Sequence, residues 1–137
     1  MTVAGEGERR RRALGWVGTA LTALVAFQML FSVAMKVFLP AGVPEHFGEL
    51  GWRLERVRGL ALLELAVTVV YCVPRTAGVG AILLTAYLGG AAAAHLRIAD
   101  GVFAYPAAIG AAAWIGLLLR RPELGALAPW RRTSASR

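Results

Sequence analysis

The sequence predicts an all-α membrane protein, a bundle of four transmembrane helices with antiparallel, up-and-down neighbours. Three observations predict it. Of 137 residues, 58% are hydrophobic, and mean hydropathy is +0.60; soluble domains run at about 45–50% apolar. The apolar residues are gathered into four long runs, with charges and prolines between them. The runs are continuously apolar, whereas a transmembrane strand alternates between lipid-facing and lumen-facing residues.

The elements follow in order. Residues 1–13, MTVAGEGERRRRA, read as a basic cytoplasmic tail, disordered or interfacial, ending in Arg9 to Arg12. The first span covers residues 14–39. About 20 residues at 1.5 Å each cross a hydrocarbon core of ~30 Å, so this run has length to spare. A signal peptide is the competing reading, with the Arg cluster as its basic region and Ser32-Val33-Ala34 as a small-residue cleavage site. Its apolar region would be about 7–15 residues, shorter than this one, and the remaining chain is equally hydrophobic. Residues 40–56 form a connection with two prolines. Within it, residues 48–57 are expected to make a short interfacial turn or helix, with Trp52 at headgroup depth. The second span, residues 57–73, contains Glu64 and is closed by Pro74 and Arg75. The third, residues 77–96, is rich in Gly and Ala. The fourth, residues 102–119, carries Pro106 near its start, where a missing N–H costs least. Arg120-Arg121-Pro122 ends the membrane domain of residues 14–121, and residues 122–137 form a second basic cytoplasmic tail with Trp130 as an interface anchor.

Four spans put both ends on one side. Arg9 to Arg12, Arg75, Arg120, Arg121, Arg131, Arg132 and Arg137 fall on that side, and outnumber Arg53, Arg56, Arg58 and Arg97 on the other. Basic residues concentrate on the cytoplasmic side of membrane proteins, so both termini are expected in the cytoplasm of a multi-pass cell-membrane protein. The net charge of +7 is thereby read as topology and contact with anionic lipid. Nucleic acid is excluded as a partner, because no recognition module or basic soluble face is visible. Cys72 is the lone cysteine; it rules out an intramolecular disulfide and dithiol chemistry, and reads as a small buried hydrophobe.

Helix association in lipid relies on close van der Waals contact, which small residues allow. Gly89 to Ala94 in the third span and Gly110 to Ala113 in the fourth are therefore expected to be packing faces. Polar residues inside the runs need another explanation, since a charge in hydrocarbon costs at least ~2.5–3.5 kcal/mol on insertion scales. Gln28, Ser32 and Lys36 recur every four residues along one side of the first span. Glu64 and Thr68 share a side of the second; Tyr87 and His95 share a side of the third, and Arg97 follows. Under the predicted topology, Lys36, Glu64, His95 and Arg97 all lie in the external half of the membrane. An outward-facing polar pocket is expected, with Lys36–Glu64 or Arg97–Glu64 as its ion pair. Blander readings stand beside it: Lys36 and Arg97 snorkelling to headgroups, Gln28 joining helices, Tyr87 simply packed, His95 at the interface and His46 solvated. Glu64 resists such a reading, because its short side chain cannot reach water from about 10 Å inside the span.

No metal signature is present, since two histidines on different segments lack a spaced carboxylate. Haem is disfavoured on the same ground. Phosphate-loop and serine-nucleophile patterns are absent.

Phe31-Ser32-Val33-Ala34-Met35-Lys36, Leu63-Glu64-Leu65-Ala66 with Pro74-Arg75, Leu84 to Ala91 with His95-Leu96-Arg97, and Trp114 to Leu124 with Pro129 together resemble the DoxX-like family. The resemblance runs from about residue 14 to residue 130. It implies a four-helix membrane bundle linked to redox complexes; the family takes its name from a small subunit of an archaeal thiosulfate:quinone oxidoreductase. The shared polar positions are Lys36, Glu64, His95 and Arg97. The leading reading is a redox-associated membrane protein holding a quinone-like or other lipophilic ligand. Glu64 and His95 are its candidate catalytic, proton-exchanging residues, and Lys36, Arg97, Gln28 and Tyr87 its candidate ligand-binding residues. An isomerase or hydrolase of a lipophilic substrate, and a non-catalytic scaffold subunit of a membrane complex, are the alternatives. A redox partner protein and self-association stay open.

Overall fold

The computed structural model describes the backbone of residues 3–127. Among them the fold is all helical: α1 (Val3–Phe38), α2 (Val43–Glu49), α3 (Leu54–Cys72), α4 (Ala77–Ile98), α5 (Ala104–Arg120) and a short 3-10 helix, Pro122–Leu127. Each of the four longer helices packs on two others: α1 and α4 both touch α3 and α5. The short α2 leans on α3.

Cys72, expected to be a small buried hydrophobe, is exposed, and the backbone refines two further expectations. Of the two forms expected for the N-terminal segment, disordered or interfacial, the described part is not disordered: α1 begins at Val3 and runs for 36 residues, about 54 Å at the helical rise. Glu6, Glu8 and Arg9 to Arg12 are good helix formers, and Glu8 sits 3.9 Å from Arg12 one turn on. The connection also holds a helix, α2, ahead of the segment in which a turn or short helix is expected. Pro44 fits the first turn of α2, where its missing N–H is harmless, and Gly42 supplies the φ of 88° that enters it. Gly51, at φ 78°, then turns the chain before Arg53, so of the turn or helix expected over residues 48–57 the turn forms at its start and α3 takes over from Leu54. The C-terminal tail beyond residue 127, with its Trp130 anchor, lies outside the described residues.

α1 and α4 are long and apolar enough to cross a membrane, and only 22% and 28% of their apolar windows are buried within the fold. The core helix of a soluble protein would be mostly buried. Here Trp16, Phe27, Phe38, Leu62 and Leu96 are among many large apolar side chains turned outward. α3 carries Glu55, Arg56, Arg58 and Glu64, which lower its hydropathy, and α5 is 17 residues long.

The core is made where the helices come closest. Val25 and Met29 of α1 meet Val67 and Tyr71 of α3, Ala81 and Leu84 of α4, and Ala113 and Leu117 of α5. A Cβ on Gly80 would overlap the backbone of Tyr71, and one on Gly18 would stand 2.8 Å from the Gly116 carbonyl oxygen. Hydroxyls bind the same region. Tyr71 donates to the Ala113 carbonyl at 2.9 Å, and Thr22, which donates to the Gly18 carbonyl at 2.9 Å, lies 3.3 Å from the Tyr71 oxygen.

Candidate functional site

Beyond this core the helices part around a cavity of about 540 Å³, a size that suits a drug-sized or cofactor-sized ligand. Its walls are mostly apolar. Part of the expected packing face of α4 contributes to it: Gly90, Ala91 and Ala94 line the space, and nothing lies within 4 Å of a would-be Cβ on Gly90. The small residues thus widen the cavity instead of seating another helix. On α5, Gly110 is buried, with Leu88 3.7 Å from its would-be Cβ.

Into this wall α1 and α3 place opposite charges. Lys36 Nζ donates to Glu64 Oε2 at 2.8 Å, and both residues are buried, at 8% and 2% exposure. The four-residue spacing read in α1 has its counterpart here, since Lys36 also donates to Ser32 Oγ at 2.5 Å. Phe47 of α2 sits 5.7 Å from the same ammonium, a distance at which the ring face attracts a cation. Thr68, one turn beyond Glu64, donates back to the Glu64 carbonyl at 2.7 Å. A buried pair is stable only when both charges are also hydrogen-bonded or solvated; here Ser32 and Phe47 complete the shell of the cation.

Gln28 and Tyr87 also line the cavity, and Tyr87 lies close to Glu64. Arg97 does not reach Glu64. It is exposed and donates to the Leu50 carbonyl, at the end of α2. The candidate pairing Arg97–Glu64 is therefore not formed, and Arg97 is not part of the cavity lining. The reason is the loop geometry: α2 brings its carbonyl end to the last turn of α4, nearer than the buried carboxylate.

His95 lines the cavity at its rim. Its Nδ1 is 2.6 Å from Asp100 Oδ2, and Asp100 Oδ1 accepts the Val102 N–H at 2.9 Å. The His95 hydrogen bond holds the Asp100 carboxyl below the usual carboxylate range. His46, expected to be solvated, is partly exposed and also lines the cavity, its ring centroid 5.5 Å from that of His95. Sequence reasoning missed both His46 and Asp100. No periodic spacing joins them to His95; α2 and the left-handed turn at Ala99, φ 54°, bring them together.

Compared with known protein families, the chain matches the DoxX-like family over residues 20–116, more than half its length. Among curated proteins and among solved structures, none matches it.

Proposed function

The chain belongs to the DoxX-like family of membrane proteins, and from that premise we propose that it is a redox-associated, multi-pass protein of the cell membrane whose cavity holds a quinone-like or other lipophilic ligand. In this reading α1, α3, α4 and α5 each cross the bilayer, antiparallel to their neighbours, with both termini in the cytoplasm. The apolar outer surface and the excess of arginines on the terminal side support that placement. The 17 residues of α5 reach about 25 Å, at the short end of what spans a bilayer. The cavity then opens to the outer side.

The observation that carries the ligand reading is the Lys36–Glu64 pair, buried at 2.8 Å in the wall of an otherwise apolar cavity. Ionisable groups at membrane depth are costly and mark functional sites by default. Lys36 would steady negative charge on a ligand oxygen, with Gln28 and Tyr87 as further polar contacts. Glu64 and His95 would exchange protons with it. A partner redox protein in the same membrane would deliver or remove electrons, as the chain has no dithiol to do so.

Trp52 lines the cavity and offers the test. A short-chain quinone titrated into the detergent-purified protein is expected to quench tryptophan fluorescence saturably. Trp52→Phe should remove most of that signal. The charge-free double variant Lys36→Met/Glu64→Leu should fold yet bind the quinone at least tenfold more weakly. Unchanged affinity in the double variant would leave the pair a helix-holding device and favour the scaffold reading.

A further inference from the structure

His46 on α2, His95 on α4 and Asp100 in the loop after α4 each offer a ligating atom, and the three atoms lie within 4.8 Å of one another. Two imidazole nitrogens and a carboxylate oxygen suit a borderline divalent ion, while magnesium and calcium prefer oxygen alone. Three protein ligands with one position left open is the arrangement of exchangeable zinc sites. Zinc bonds of ~2.0–2.1 Å place tetrahedral ligand atoms about 3.3 Å apart, so the widest gap must close by about 1.5 Å, and the ion must replace the 2.6 Å hydrogen bond between His95 and Asp100. The His46 side chain is 43% exposed on a helix of seven residues, and has the freedom to close it.

The surroundings prepare the three groups. Asp100 is fixed by the Val102 N–H, and the left-handed Ala99 turns it back toward His95. Ala99 ends α4 with the left-handed turn common at helix C-termini, and that turn sets the direction in which the loop carries Asp100. Arg97 clasps the end of α2 to the end of α4 through the Leu50 carbonyl, which holds the two histidine-bearing elements together. The same hydrogen bond turns the guanidinium toward the backbone. Glu49, 3.9 Å from His46, adds negative charge nearby. A simple loop staple would need only His95 and Asp100; it leaves the approach of His46 unexplained.

We propose that His46, His95 and Asp100 bind one divalent transition ion of the zinc class at the rim of the cavity. The site stands apart from the quinone reading, because the ion can be measured with the cavity empty or filled. Both histidines line the cavity, so the ion borders whatever enters it.

The test uses the full chain, purified in detergent through an affinity tag without histidine and stripped with a chelator. Zinc is titrated against a chromophoric competitor, and cobalt(II) serves as a visible-absorption probe of a four- or five-coordinate site. One ion per chain is expected. Affinity should fall at least tenfold in each of His46→Gln, His95→Ala and Asp100→Asn, and the cobalt bands should be lost. No saturable uptake at micromolar zinc would overturn the proposal. So would equal binding in all variants, which would mean adventitious ligands elsewhere. Thermal melting checks that each variant folds. His46→Gln changes a half-exposed side chain and decides the matter if the other two variants do not fold; wild-type affinity in it alone is enough to overturn the site.

Discussion

At Gly80, α4 lies so close to α3 that no Cβ fits against the Tyr71 backbone; further along the same helix, Gly90 borders the cavity and faces open space. One glycine closes the molecule and the other opens it, although the sequence around them is similarly small and apolar. The closed region is tied by neutral hydroxyls, Thr22 and Tyr71. The open region is tied by charge, Lys36 to Glu64. A region lined with small residues and held at one wall by an ion pair keeps its space, because charged groups resist collapse into a dry core. The difference teaches that small residues in a membrane helix signal close approach only where another backbone is placed to use it.

The largest effect should come from breaking the open region's tie. Lys36→Met alone leaves Glu64 buried and unpaired, and is expected to cost about 3–5 kcal/mol, read as a lowered midpoint of thermal or SDS-induced unfolding in micelles. Lys36→Met/Glu64→Leu should recover most of that loss, since an apolar replacement of a buried pair is often neutral. A double variant as unstable as the single one would show that the charges hold the fold in a way burial does not explain.

Next comes the closed region's tightest contact. Gly80→Ala should destabilise by about 1–3 kcal/mol, because backbone cannot yield as a side chain can. That cost outweighs the helix-propensity gain of roughly 1 kcal/mol from replacing glycine. Tyr71→Phe is expected to cost less, about 0.5–1.5 kcal/mol, the net worth of one hydrogen bond. The smallest effect sharpens the comparison most. Gly90→Ala meets nothing and should leave stability unchanged or raise it by ~0.4–1 kcal/mol, in the same unfolding assay. If Gly90→Ala destabilises as much as Gly80→Ala, the two regions do not differ as described.

Much of the arrangement could be read beforehand. The helical class follows from continuous apolar runs. The side of α1 that carries Gln28, Ser32 and Lys36 follows from helical periodicity, and those three residues line one cavity. The Lys36–Glu64 pairing was one of two options, and choosing between them required the position of Arg97 relative to Leu50. The helical start of the N-terminal segment is less legible, because a charged run suits a disordered or interfacial tail as well as a helix, and it is the acidic and basic residues one turn apart that support the helix.

By itself, the sequence determined that the chain is helical, outwardly apolar and obliged to hide a carboxylate at position 64, because hydropathy and helical period are local properties of the chain. Only the tertiary structure decided that Gly90 borders a cavity, that Arg97 turns to a carbonyl, and that His46, His95 and Asp100 meet. Those outcomes depend on how helices from distant parts of the chain are set against one another, and on two or three turns whose backbone angles no periodicity encodes.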